Sequence, residues 1–223
     1  MKKVGMFLLL IAMIAAVTLT ACGGGGGGGG SSDSGSGGGA SDSGGGGGTA
    51  PSGPTSVSLP ETGQGICYDA AGNSITCAGT GQDAELQRGV AWPSPRFTVD
   101  GTELCVTDNL TGLMWVRNPD SIRRTWAEAL TYANGLTLCG YSDWRLPNRK
   151  ELRSLSNYGE INSSTWLNGQ GFNNVQGNYY WSSSTYTNIR DYAWVVDMVD
   201  GSANFGIKTF TYYVWLVRAG DGG

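Results

Sequence analysis

The chain contains no histidine, and only 14% of its 223 residues are charged. Without an imidazole, catalytic triads and dyads that use histidine as the base are excluded, as are zinc sites with histidine ligands. No two of the five cysteines have the C-x-x-C spacing of thiolate metal sites. Paired carboxylates such as Asp197 and Asp200 fit a hairpin surface better than an acid and base pair. We therefore expect no catalytic residue, no metal and no cofactor, and predict that the protein is not an enzyme.

Long apolar runs are also scarce, and the conspicuous one covers residues 6–17. It follows Lys2 and Lys3 and leads into Leu-Thr-Ala-Cys at 19–22, the layout of a signal peptide that ends in a lipobox. A membrane-spanning helix needs ~20 apolar residues, so this run is too short for one. We expect residues 1–21 to be removed and Cys22 to carry the acyl chains, such as palmitate, that anchor the protein in a membrane. Glycine rather than aspartate at position 23 favours the outer membrane of the cell envelope.

Residues 23–60 contain little that could be buried, because glycine, serine, aspartate, threonine and proline dominate them. This composition predicts a flexible linker, so the domains are expected at 22–60 for the lipidated cysteine and linker and at 61–223 for the folded part. Removing Lys2 and Lys3 leaves 12 basic residues against 18 acidic ones, which gives a net charge of −6. This acidic balance argues against nucleic acid as a partner.

Four cysteines follow Cys22, and an even number in an exported chain predicts two disulfides. Three pairings are possible. We favour Cys67 with Cys77, which flank a turn-like segment, and Cys105 with Cys139.

The pattern of the folded part predicts two short helices and a mostly antiparallel sheet, an α+β domain. One helix is expected at 125–134, with a capping box formed by Thr125 and Glu128, and a second after the N-cap Asn148, with Glu151. Strands are expected at 96–99, 104–106, 113–116, 179–182, 193–199, 204–208 and 212–218. The dipeptide at 200–201 is a strong hairpin signal.

Several motifs resemble one family of bacterial surface domains, the Lcl-type C-terminal domain. They are residues 106–115 (VTDNLTGLMW), 126–130 (WAEAL), 140–148 (GYSDWRLPN), 150–152 (KEL), 180–184 (YWSSS), 193–194 (AW), 200–201 (DG) and 214–218 (VWLVR). The resemblance covers about 62–220. It implies a C-type-lectin-like α+β fold similar to that of formylglycine-generating enzymes. The name-giving member of the family is an adhesin proposed to bind sulfated glycans. The cysteine pair that sulfatase-activating relatives use late in the domain is missing, because no cysteine follows Cys139.

Two sets of residues are candidates for contact with a ligand. The late segment 173–213 has the tyrosine-rich and asparagine-rich composition of binding loops. Its candidates are Tyr179, Tyr186, Asn188, Arg190, Tyr192, Asn204, Tyr212 and Tyr213. A basic cluster around the helices could hold a polyanion and comprises Arg123, Arg124, Arg149, Lys150 and Arg153.

Each set has a competing structural interpretation, either strand and turn residues without a partner or an ordinary solvated helix face. We interpret Arg145 and the tryptophans at 115, 144, 181 and 194 as structural. The predicted function is a surface-displayed binding or adhesion module whose ligand is a glycan or a protein. The alternatives are a ligand-binding protein varied by a diversity-generating retroelement, or an envelope structural protein.

Overall fold

The computed structural model describes residues 59–220. The predictions on the signal peptide, on Cys22 and on most of the linker lie outside the described residues. The described helices are α1 (Asp83–Leu86), α2 (Trp126–Gly135), α3 (Arg149–Ser154) and α4 (Ser163–Gly169). The strands are β1 (Cys67–Tyr68), β2 (Ser74–Ile75), β3 (Phe97–Val99), β4 (Cys105–Asp108), β5 (Leu113–Val116), β6 (Asp120–Arg124), β7 (Tyr179–Thr185), β8 (Tyr192–Asp197), β9 (Ala203–Ile207), β10 (Tyr212–Val214) and β11 (Val217–Ala219).

The described strands form three sheets. One has two strands, β1 and β2; the second has the order β11-β5-β4-β3; the third has the order β6-β10-β7-β8-β9. Neighbouring strands of these sheets are antiparallel, apart from β10 and β7, which are parallel. The predicted α+β class with mostly antiparallel sheets is confirmed.

Both predicted helices are present, and their capping residues explain where they begin. Thr125 and Glu128 form the complete capping box of α2, and Asn148 and Glu151 form that of α3. In each box two backbone N–H groups that the helix leaves without a partner are bonded by side chains. The short helices α1 and α4 were not predicted, because neither presents an apolar stripe longer than two turns.

The predicted closing strand at 212–218 is in fact two strands in two sheets. β10 pairs with β6 and β7, whereas β11 pairs with β5. Trp215 and Leu216 lie between them and are buried in two different apolar clusters. The indole Nε1 of Trp215 also donates to the carbonyl oxygen of Val116 at 2.8 Å. The chain therefore crosses between the sheets at this point, which an alternating sequence pattern does not reveal.

The core consists of two apolar clusters on the two faces of the five-stranded sheet. The first is built around Trp115, Tyr180 and Trp215, and the second around Trp144 and Trp181. Cross-strand partners show how the faces are divided, because directly paired residues point to the same side of a sheet. Tyr180 pairs with Val196 in the first cluster, and Trp181 pairs with Val195 in the second.

A buried ion pair lies where the four-stranded sheet meets α3. Arg96 and Asp108 are almost completely buried, and the Arg96 Nε lies 3.3 Å from an Asp108 carboxylate oxygen. Arg96 also donates to the carbonyl oxygen of Ser154 at the end of α3, at 2.5 Å. A buried charge pair of this kind is held by several hydrogen bonds because burial would otherwise penalise both ions.

Both expected disulfides are present, Cys67 with Cys77 and Cys105 with Cys139. The first closes the β1–β2 hairpin. The second joins β4 to the segment after α2, so it links the four-stranded sheet to the helical side of the domain.

We predict different stability losses when the two disulfides are removed separately. The cysteines are 34 residues apart in the Cys105–Cys139 bridge and 10 apart in the other. Chain-entropy arithmetic then gives losses of about 4 and about 3 kcal/mol in the free energy of unfolding for the paired alanine replacements. Urea unfolding measures both values. A larger loss from Cys67→Ala with Cys77→Ala would contradict the assignment of the longer bridge as the stronger constraint.

Candidate ligand-binding surface

Four aromatic rings cluster on the outer part of the five-stranded sheet. Trp194 on β8 is directly opposite Phe205 on β9, so the two rings share one face. Tyr186, which follows β7, stacks on Phe205 with ring centroids 4.5 Å apart and meets Trp194 edge-on at 5.2 Å. The rings of Tyr192 and Phe205 meet edge to face, with centroids 5.8 Å apart. Phe205 is 42% exposed, so this is an aromatic surface and not a part of the core.

A cation completes the cluster. The guanidinium carbon of Arg149 lies 4.2 Å from the ring centroid of Trp194, a cation–π contact. We call the set of Arg149, Tyr186, Tyr192, Trp194 and Phe205 the Trp194 surface. A groove of about 500 Å³ runs along it and is lined by Asn148, Arg149, Lys150, Ser184, Thr187 and Trp194. In residues 59–220 neither Arg149 nor Lys150 forms an ion pair, so both charges are available to a ligand.

The position of Arg149 is fixed by the start of α3. The side chain of Asn148 accepts hydrogen bonds from the N–H groups of Lys150 and Glu151, and the backbone N–H of Arg149 donates to Ser184 Oγ on β7 at 3.1 Å. Ser183 N–H also donates to the carbonyl oxygen of Pro147 at 2.8 Å. The helix is therefore held against β7, next to the ring of Trp194.

An ion pair between Arg145 and Glu151 stabilises the start of α3. The two terminal nitrogens of Arg145 donate to the two carboxylate oxygens of Glu151 at 2.7 and 2.8 Å, a bidentate pair. Burial acts to raise the pKa of Glu151, but the bonds from Arg145 and from the Asn148 N–H outweigh it, and the pKa lies below its ordinary value. Trp144, next to Arg145, is buried. The structural interpretation of these two residues is thus consistent with their contacts.

The eight late candidates divide into two groups. Tyr186 and Tyr192 belong to the Trp194 surface, and the exposed residues Asn188 and Arg190 lie in the β7–β8 connection beside it. The remaining candidates, Tyr179, Asn204, Tyr212 and Tyr213, do not join them.

The contacts of those four explain the division. Asn204 pairs with Val195, on the face opposite Phe205. Tyr212 packs edge-on against Trp181 at 4.8 Å and against Tyr179 at 6.0 Å. Tyr213 packs on the buried ring of Tyr180 at 5.4 Å. The tyrosines in this group fill the junction between β10 and β7.

The five basic candidates likewise lie on two elements. Arg149, Lys150 and Arg153 are on α3, whereas Arg123 and Arg124 are on β6 at the edge of the sheet. Arg124 pairs with Asp120 at 2.6 Å, and its guanidinium lies 4.0 Å from the ring centroid of Tyr132. Arg123 lies over the ring of Tyr213 at 5.6 Å. Arg149 and Lys150 on α3 are the part of the predicted patch that adjoins the Trp194 surface.

Sequence reasoning missed the roles of Trp194 and Phe205. Trp115 and Trp181 are fully buried as expected, but Trp194 is partly exposed. The pairing of Trp194 with Phe205 could have been predicted from the register of the Asp200-Gly201 hairpin. Gly201 N–H donates to the Asp197 carbonyl oxygen at 2.9 Å, and counting back from this turn places Phe205 opposite Trp194.

The carboxylates of Asp197 and Asp200 accept backbone hydrogen bonds within the turn of the β8–β9 hairpin. Asp197 accepts from the N–H of Val199 and Asp200 from that of Ser202, at 2.9 and 2.8 Å. The hydrogen bonds from Ser202 lower the pKa of Asp200. Among residues 59–220, one group has a metal-like arrangement, Asp100 with Cys105 and Cys139, but those two sulfurs are joined in a disulfide.

We predict that Glu151→Gln lowers the free energy of unfolding by about 1–2 kcal/mol at neutral pH, because a charge-assisted pair with Arg145 is lost. The pKa of Glu151 is lowered in the folded state from an ordinary value of 4.5. Its contribution is therefore present above that value and is lost as the pH falls through the lower folded pKa. Chemical unfolding at a series of pH values should show the two proteins converging in acid. The exposed Glu160→Gln is the matched control, and equal losses in both variants would contradict the prediction.

Comparison with known proteins supports the family resemblance that the sequence motifs indicate. No curated protein matches the chain. The Lcl C-terminal domain family matches residues 104–218, which begin before β4 and end within β11 and so include α2, α3 and the whole Trp194 surface. This match covers more than half of the chain. The chain therefore belongs to the Lcl C-terminal domain family.

Proposed function

We propose that this protein is a lipid-anchored binding module of the bacterial cell envelope, and that it holds its ligand on the Trp194 surface. The observation that carries the proposal is the meeting of the exposed ring of Phe205 and three partly exposed rings with Arg149 and Lys150, two cations that have no ion-pair partner among the described residues. Exposed apolar rings cost free energy in water unless a partner covers them, so such a cluster is typical of an interaction site.

The chemistry of the surface suits a ligand that is both polar and partly apolar. Tyrosine, tryptophan and arginine are the side chains that contribute most to binding at protein interfaces. The stacked pair of Tyr186 and Phe205 offers a flat apolar platform, and Arg149 offers hydrogen bonds that suit carboxylate or sulfate groups. A glycan or a protein segment with acidic groups fits this combination.

The anchor is the second part of the proposal and is based on the sequence of residues 1–22. None of the helices in residues 59–220 has the length and apolar character needed to cross a membrane. A lipidated Cys22 followed by a glycine-rich linker would hold the domain near a membrane and let it turn toward its ligand.

A binding array tests the first part. The soluble chain from Gly23 onward is placed on glycans, sulfated polysaccharides and matrix proteins, with and without EDTA and over a salt series. We expect a selective ligand whose binding falls at least tenfold in Trp194→Ala and in Arg149→Met, since each removes one side of the contact. Binding should also weaken as salt rises, because exposed charges are screened.

Phe210→Ala is the matched control, because Phe210 is an exposed ring, 56% accessible, that lies outside the Trp194 surface. It should leave the affinity unchanged. A ligand whose binding depends on Phe210 and not on Trp194 would contradict the proposed surface. No binding across the whole array would argue against a glycan or matrix ligand.

The anchor has its own test. Cells that express the chain are labelled with radioactive palmitate and separated into membrane and soluble fractions. The unaltered protein should carry label and remain with the outer membrane, and Cys22→Ala should lose both properties because the acylated thiol is absent. An unlabelled protein, or a Cys22→Ala variant that still stays with the membrane, would overturn the lipoprotein assignment.

A further inference from the structure

A second cavity lies on the other side of α3 and plays no part in the proposed function. Its volume is about 500 Å³, within the range of small-molecule sites. Its walls are formed by Leu59, Pro60, Glu61, Trp92, Leu110, Lys150, Arg153, Ser154, Ser156 and Tyr158. We call it the α3 cavity. Lys150 lines both this cavity and the groove of the Trp194 surface.

The apolar side of the α3 cavity is rigid. Trp92 is held by a hydrogen bond from its indole Nε1 to the carbonyl oxygen of Glu61 at 2.9 Å and packs on Trp166 with ring centroids 5.5 Å apart. Arg96 lies behind Trp92, 4.3 Å from its ring centroid. Trp92 and Leu110 form the apolar wall of the cavity, and the contacts of Trp92 hold its ring in place, so a flat ring that packs on it meets a preorganised side chain.

The polar side carries two cations against one carboxylate. Lys150 and Arg153 line the cavity and form no ion pair within the described part of the chain, and Glu61 is the one acidic residue in the lining. The Nε of Arg153 donates to the Tyr158 hydroxyl at 2.7 Å, which positions the guanidinium, and its two terminal nitrogens have no hydrogen-bond partner among residues 59–220. The fixed fork of an arginine suits a bidentate carboxylate.

We propose that the α3 cavity binds a small aryl carboxylate, with the ring against Trp92 and Leu110 and the carboxylate between Arg153 and Lys150. The site shares Lys150 with the groove of the Trp194 surface, but Arg153, Trp92 and Leu110 lie outside that groove, so either assignment can fail without the other.

The test uses 2-naphthoate and its neutral isostere 2-naphthamide, with the soluble chain from Gly23 onward. Titration is followed by calorimetry and by the NMR signal of the Trp92 indole N–H. The indole signal should move on addition of 2-naphthoate, and the carboxylate should bind about tenfold more tightly than the amide, since a charge-assisted hydrogen bond is roughly twice as strong as a neutral one. Arg153→Met should remove this preference, because the guanidinium that holds the carboxylate is absent.

Arg190→Met is the control, because Arg190 is an exposed arginine outside the cavity. It should bind both probes as the unaltered chain does. Equal affinities for carboxylate and amide in the unaltered chain, an unmoved Trp92 signal, or an effect of Arg190→Met equal to that of Arg153→Met would each overturn the proposal.

Discussion

The pairing of Arg145 with Glu151 is the contact on which the arrangement of the candidate surfaces depends. The backbone of Arg145 exchanges two hydrogen bonds of 3.0 Å with Val217 on β11, while its guanidinium holds the capping residue of α3. Arg145 therefore connects Val217 in the four-stranded sheet to Glu151 in α3, the helix that presents the three cations at 149, 150 and 153. The buried Arg96, bonded to Ser154, fixes the other end of the same helix.

A short helix needs such support, because six residues are too few to be stable alone. The capping box supplies partners for its first N–H groups, the ion pair with Arg145 holds its start, and the hydrogen bond from Arg96 to Ser154 holds its end. Arg149 and Arg153 on α3 are thus held next to aromatic side chains, Trp194 on one side and Tyr158 on the other. Preorganised cations of this kind lose little side-chain freedom when an anionic group binds.

The features predictable from the sequence are those with local causes. The caps at Thr125 and Asn148, the hairpin at 200–201 and the two disulfides each depend on a few nearby residues or on a count of cysteines, and all are present. The split of the last strand at 215–216 and the parallel pairing of β10 with β7 depend on contacts between distant segments. The sequence predicted only some residues of the candidate surface. Tyr186 and Tyr192 were named, but the meeting of α3 with β8, which brings Arg149 to Trp194, is a tertiary contact without a sequence signature.

The most direct test of the central claim, that a ligand is bound on the Trp194 surface, is hydrogen exchange of the domain with and without the first ligand recovered from a binding array. The account predicts slower exchange at 186–194 and 203–207 and at the start of α3, because these segments carry the exposed rings and Arg149. Protection confined to 120–124 and 209–213, around Arg123 and Tyr212, would contradict it and assign binding to the edge of the sheet instead.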